Sequence, residues 1–258
     1  MYSKWKQIGY DIGNGVIKQK KMATVCFMLS LICIIWNIWD IKRIWDFYHQ
    51  TVSVADLLID LQNPGRFGIM IFPIMLFFIL RCKQDSIYMQ VVLRYGNRNR
   101  MFRNQLMESE IYALGMSTIL ILLESAVGYL FVGEWINWED IQSRFYSTTG
   151  LQSTAHFGEI VIMVWLLYIL KFLLILVLMD MLFWYQKYLF FIWIPVILFF
   201  GLETPIVDIP VFHTFYCIQY AYILERTEIL LPLLIGVLLL ITEYLIGTIF
   251  IKKKDIFE

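Results

Sequence analysis

Apolar runs long enough to cross a bilayer constrain this chain more than anything else in it. From residue 160 to 202 the side chains are almost continuously apolar, interrupted by Lys171, Asp180, Gln186 and Lys187. A second run, 229–251, leads into the closing sequence KKKDIFE. A helix needs about 20 predominantly apolar residues to cross the roughly 30 Å hydrocarbon core. Composition agrees: 60% of residues are hydrophobic, 16% are charged, and the mean hydropathy is +0.68. Soluble domains carry about 25% charged residues. The expected fold class is an all-α integral membrane protein, built as a single domain over 1–258.

The distribution of charge sets the topology. Residues 1–21 carry Lys4, Lys6, Lys18, Lys20 and Lys21 against Asp11, and Tyr2, Trp5, Ile8, Ile12 and Val16 recur at helical steps. They predict an interfacial helix, with a disordered basic tail as the alternative. Spans follow at 22–38, 67–80 and 111–132. The long run 160–202 is too long for one crossing. Counted as one, it would leave Lys252, Lys253 and Lys254 on the outer face, against the inside bias of Lys and Arg. Two crossings with a tight inner turn between Asp180 and Lys187 return both termini to the cytoplasm. The prediction is therefore a six-span bundle over 22–251 with a basic cytoplasmic tail at 252–258. Inside segments then hold fifteen Lys and Arg and outer segments five, which supports this orientation. Of the outer segments, 40–66 contains an Asn63-Pro64-Gly65 turn, and 133–159 is polar. The stretch 203–228, broken by Pro205 and Pro210, is either re-entrant-like or a plain outer loop.

Between spans 2 and 3 lies the most basic segment of the chain, RCKQDSIYMQVVLRYGNRNRMFRNQLMESE, residues 81–110. Ile87, Val91, Val92 and Tyr95 recur at helical spacing, Gly96-Asn97 interrupts, and a second helical stretch begins at Arg98. It reads as a cytoplasmic elbow shaped to touch something. Glu124, Lys171, Asp180 and Glu243 fall within spans or at their edges, where charge is expensive without a partner. Glu124 and Lys171 fall near mid-membrane in neighbouring, oppositely directed spans and are expected to pair, as a polar path, a subunit seam or a packing device. Gly236, Leu240, Glu243 and Gly247 form one stripe on the last span, and Ser117, Glu124 and Gly128 form another on the third; their glycines allow close helix approach.

Several chemistries find no motif. Cys26, Cys33, Cys82 and Cys217 show neither metal spacing nor a disulfide framework. His49, His156 and His213 are far apart in outer segments. No phosphate-binding loop, zinc-protease motif or membrane-protease motif occurs, so neither a catalytic site nor a cofactor is expected in this chain. The basic residues flank spans, which makes nucleic acid a poor partner.

This organisation resembles the type-two ABC-transporter permeases. The likeness rests on the basic amphipathic start, six spans with both ends inside, and the inner loop after span 2. It rests also on the broken segment before the last span and the basic finish. LRYGNRNRMFRNQL, residues 93–106, is similar to a turn found in small permeases of Gram-positive bacteria. The resemblance implies a multi-pass subunit of a bacterial plasma membrane, paired with a second copy or a sister permease and docked on cytosolic ABC ATPase subunits. Those partners would bind ATP and magnesium. The ATPase-coupling residues would be Tyr95, Arg98, Arg100, Met101, Phe102 and Arg103, with contact of the arginines to anionic membrane lipid as the alternative. A hydrophobic or amphipathic cargo, peptide or drug-like, would be exported. The rival readings are a non-transporting peptide sensor or immunity protein and the substrate-binding membrane subunit of a vitamin importer.

Overall fold

The computed structural model describes residues 12–84, 98–185, 219–224 and 228–253. Among them the secondary structure is helical, with one isolated bridge between Thr51 and Ser143. Among the described residues five helices are long and apolar enough to cross a membrane.

The first, α1 (Lys20–Phe47), is longer than the expected span 22–38. Its 28 residues extend about 42 Å, well past the hydrocarbon thickness. Asp40, Lys42 and Arg43 do not stop it, because polar residues beyond the bilayer keep the helical hydrogen bonds and gain partners of their own. Lys42 Nζ donates to the Phe131 carbonyl at 2.7 Å, satisfying an acceptor at the end of another helix. Arg66 pairs with Asp40 at 3.3 Å. Before α1, residues 12–18 are helical and continue into it through Gln19, so this portion is no free-standing surface helix. Gly15 packs on the end of the second span; a Cβ there would stand 3.0 Å from the Cys82 carbonyl oxygen.

The segment after α1 turns inward. Ser53 caps α2 (Val54–Leu61) through a reciprocal capping box with Asp56. Nearly all of α2 is buried. A π-helical stretch, Pro64–Ile71, then enters α3 (Phe72–Gln84), and together they supply the second span. Next comes α4 (Arg98–Val132), 35 residues in one unbroken helix. The second half of the expected elbow and the third span are thus one rod, about 52 Å long. The short α5 (Arg144–Thr149), capped by Ser143 and ended by Gly150 at φ 70°, lies between α4 and α6 (Phe157–Tyr185). Because α6 is unbroken through Tyr185, the turn expected from Asp180 onward is excluded from 180–185. The described chain closes with α7 (Tyr220–Leu224) and α8 (Leu230–Lys253).

Packing fixes the relative directions. A Cβ on Gly236 would meet Leu170 Cδ2 at 2.3 Å, and one on Gly247 would meet Phe102 Cζ at 2.6 Å and Met181 Cγ at 3.2 Å. On α8 the pairing advances from 236 to 247 while on α6 it advances from 170 to 181, so these two helices run parallel in constant register. The α6 and α4 helices are antiparallel: Tyr168 meets Glu124, and Asp180 meets Ser109. One end of the bundle, the elbow end, holds Lys83, Ser109 and Asp180. Asp56, Trp138 and Tyr220 occupy the opposite end. Gly128 completes the core there, its missing side chain admitting Leu57 and Val54 of α2.

Candidate functional site: buried polar layers in the bundle

Charged groups lie at three depths inside an otherwise apolar core, and the helices that bring them together define what the site can do.

At the elbow end, Lys83 near the end of α3 is 2% exposed although its neighbours in sequence are basic and polar. Its Nζ lies 2.5 Å from Asp180 Oδ1 of α6 and 2.5 Å from Ser109 Oγ of α4. Ser109 in turn donates to Asp180 Oδ2 at 2.6 Å. Asp180 is likewise 2% exposed, so both charges are desolvated and matched to each other. Lys83 and Ser109 stand on either side of the elbow in sequence, so its two roots converge on one carboxylate. The sequence reading counted Lys83 only as one of the basic residues of the elbow segment; the structure buries it. The inner-end positions of Lys83 and Asp180 were the signal that could have paired them.

At mid-bundle, Glu124, Tyr168 and Lys171 are all fully buried. The Tyr168 hydroxyl lies 3.0 and 3.1 Å from the two Glu124 carboxyl oxygens. Lys171 Nζ stands 5.3 Å from the Phe67 ring centroid and 5.8 Å from that of Tyr168, and it is electrostatically coupled to Glu124. Phe67 stacks on Tyr168 at 4.8 Å. The contacts on the page join Glu124 to Tyr168 and set Lys171 against the Phe67 and Tyr168 rings, so Tyr168 stands between the two expected partners. Tyr168 escaped the sequence reading, although it sits three residues before Lys171 on the same helical face. Glu243 is on α8, half-buried, with its Oε2 enclosed and without a hydrogen-bond partner. The constant α6–α8 register puts Glu243 level with Val177, about 9 Å along the axis from Lys171. It is not part of the Glu124 unit.

The opposite end is closed by a cluster that no sequence motif announced. Asp56, fully buried, accepts from the Ser53 backbone N–H at 2.9 Å and the Ser53 hydroxyl at 2.7 Å. It also accepts from Trp138 Nε1 at 2.9 Å and the Tyr220 hydroxyl at 2.7 Å. Arg144 forms a bidentate pair with Asp60 and lies 4.2 Å over the Trp45 ring. Trp138 stacks on Phe145 at 4.4 Å. Burial, reinforced by the Asp56 charge, raises the Tyr220 phenol well above its ordinary pKa. Burial lowers the Arg144 pKa, opposed by Tyr220 and Asp56.

The expected coupling residues divide. Tyr95 lies outside the described residues, as do the side chains of Arg98 and Arg100. Arg103 is exposed. Met101 and Phe102 are 3% and 1% exposed, with Phe102 seated on Gly247 and stacked on Tyr244. Phe102 is a packing residue at the base of α4, where Gly247 makes room for its ring, and Met101 is buried next to it in sequence. Among the described residues no group of His, Cys, Asp and Glu could hold a metal ion. His49 and His156 are exposed in separate segments, and His213 lies outside the described residues. No family model, curated protein or solved structure matches the chain.

Proposed function

We propose that this chain is the permease subunit of an ATP-driven exporter of the type-two ABC class, with six spans, both termini cytoplasmic, and the elbow as its ATPase-coupling element. The observation that carries this reading is the clamp at the elbow's roots. A partner pushing on residues 85–103 would act on Lys83 and Ser109 together, and both meet at Asp180 on α6. The unbroken α4 would carry the same displacement toward Glu124 and Tyr168. Stiff rods joined at buried ionic contacts transmit motion because such packing has discrete arrangements rather than a continuum.

A sixth crossing is supported by direction. The chain stands at the elbow end at Asp180 and at the opposite end at Tyr220. The parallel course of α6 and α8 is consistent with one further crossing between them, in residues outside those described. Arg103, with Arg98 and Arg100, would face acidic groups of the ATPase, while Phe102 holds the base of α4 against α8. A second permease, a copy or a sister, would complete the pore. An amphipathic peptide suits a core whose walls are aromatic and whose charges are few. The peptide-sensor reading takes its support from α2, which seals the end opposite the elbow.

The test is a mild-detergent purification of the tagged chain from its native membrane, with ATP hydrolysis and mass spectrometry of the co-purified proteins. The same is done with Arg98, Arg100 and Arg103 changed to Ala. An ATPase retained by the native chain and lost from the variant supports the reading. Preparations without ATPase in both cases overturn it in favour of a peptide-binding protein.

A further inference from the structure

Over Pro64–Ile71 the second span is π-helical, with the Phe72 N–H donating to the Phe67 carbonyl five residues back. Such stretches are rare and recur at functional sites. The sequence supplies a cause. In an α-helix the ring of Pro73 would strike the carbonyl of Ile69, four residues earlier, and the wider turn relieves that clash. The consequence is an aromatic wall. Five residues advance an α-helix by about 500°, so in that geometry Phe67 and Phe72 would point about 140° apart. In the π-helical turn both reach α6. Phe67 stacks on Tyr168 at 4.8 Å and meets Phe172 at 6.3 Å, while Phe72 meets Phe172 at 4.8 Å. Their own ring centroids are 5.4 Å apart. Phe67 thereby covers Tyr168 and lies against Lys171, whose Nζ is 5.3 Å from its centroid.

We infer that Pro64–Ile71 is a register switch, α-helical in a second state in which Phe67 swings off Tyr168 and opens the wall beside Glu124 and Lys171. Release of the extra residue turns the two sides of the span against each other by about 100°. On the elbow side α3 is held by the buried Lys83–Asp180 pair. The other side is held more loosely. Arg66 meets Asp40 at 3.3 Å with side chains 23% and 39% exposed, a kind of pair that contributes little. Asn37 Nδ2 reaches Met70 Sδ at 3.6 Å, and a thioether is a weak acceptor. Phe67 therefore takes up the rotation while Phe72 stays on Phe172. Its ring gives up packing but not apolar surroundings, because lipid tails are as apolar as the core. A packed wall with two discrete arrangements is a recurring form of conformational switch. The inference concerns this chain alone and does not depend on the transport reading.

The experiment places a para-fluorine on the Phe67 ring by amber-codon suppression and records fluorine NMR of the full chain in detergent micelles. Stacking on Tyr168 shifts the resonance, and Tyr168→Leu identifies the stacked signal by abolishing that shift. Pro73→Ala removes the clash that disfavours the α register; Pro73 is half-buried, so the change empties no core position. A proline inside a helix weighs against the α form about a hundredfold or more, so a second state of about 0.1–10% should rise to about 10–90%. Deleting Ile69, which is 49% exposed, from the Pro73→Ala chain removes the extra residue and leaves Phe67 and Phe72 four apart on one α-helical face. That chain should show the stacked signal alone. A Pro73→Ala spectrum identical to the native one overturns the switch. An unstacked signal that persists in the shortened chain also overturns it, since the motion would then owe nothing to the register. Where the shortened chain does not fold, the Pro73→Ala spectrum decides alone.

Discussion

Asp180→Ala tests how the elbow is anchored. The change removes the Asp180 carboxylate from the Lys83 ammonium, which is 2% exposed and keeps Ser109 Oγ at 2.5 Å. Removing one partner of a buried ion pair costs about 3–5 kcal/mol, and a charge placed within a membrane helix costs about 2.5–3.5 kcal/mol on the mildest scale. The overlap puts the expected loss near 3 kcal/mol. Lys83→Met should lose a similar amount by stranding Asp180. The double variant Lys83→Met/Asp180→Leu removes both charges and fills their volume with apolar groups, a replacement that is often neutral or stabilising for buried pairs. It should therefore recover most of the loss. Unfolding in mixed micelles with increasing sodium dodecyl sulfate measures each value. An Asp180→Ala loss below about 1 kcal/mol, or a double variant no better than the worse single, would refute the idea that this pair is desolvated and mutually dependent. Under the transport reading the double variant carries a second expectation. It should fold and retain the ATPase yet transmit poorly, because the elbow's two roots no longer share an ionic contact.

Asp56→Ala strands the Ser53, Trp138 and Tyr220 donors in a buried site and should cost about 3 kcal/mol in the same unfolding assay, with Asp56→Asn milder. Gly236→Ala places a methyl 2.3 Å from Leu170 Cδ2 and should destabilise by about 1–3 kcal/mol, whereas Gly115→Ala meets open space and should be neutral or stabilising by up to about 1 kcal/mol. Combining Gly236→Ala with Leu170→Ala should return part of the loss if the contact is steric. Tyr220 supplies the pH test. Burial, then the Asp56 charge, raises its pKa in the folded protein, so its proton is held more tightly there than in the unfolded chain. The stability this gives is fully present below about pH 10, the unfolded value, and is lost as pH rises beyond it. Melting temperatures from pH 8 to 11 should fall more steeply for the native chain than for Tyr220→Phe, which should be less stable throughout but flatter.

The spans were legible because hydropathy over a helix-length window is a local property of the sequence, and the bilayer supplies a fixed length against which to read it. Their ends were less legible. Asp40, Lys42 and Arg43 look like the close of a hydrophobic segment, yet α1 continues to Phe47 because Trp45, Lys42 and Asp40 find partners on other segments. Depth was also legible, and it brought Glu124 and Lys171 together on paper. Rotational phase was not. Whether Lys83 points to the membrane surface or into the bundle depends on how α3 is turned against α6, a relation between residues 97 apart in sequence. Met101 and Phe102 show the same limit: their place beside arginines suggested a partner surface, while the glycine that receives Phe102 stands on the last helix.

Buried charge in this bundle is better understood as a means of specification than as a source of stability. Replacing a buried pair with well-packed apolar side chains seldom weakens a protein, so stability alone does not account for Lys83–Asp180, Glu124–Tyr168–Lys171 and the Asp56 cluster. In a lipid-facing bundle, where tails are as apolar as the core, hydrophobic contacts discriminate poorly between one helix rotation and another. Each ionic layer removes that degeneracy at a different depth. Lys83–Asp180 sets α3 and α4 against α6 at the elbow end, and Glu124–Tyr168 sets α4 against α6 in the middle. Asp56–Tyr220 and Asp56–Trp138 hold the inward-turned α2 at the opposite end. The last helix takes its place by glycine contact instead, with Leu170, Phe102 and Met181 against Gly236 and Gly247. A bundle registered by charge on one side and by small residues on the other has a built-in asymmetry. Its ionic seams resist rotation, while Leu170 and Phe102, seated against Gly236 and Gly247, hold the register of α8 by shape alone.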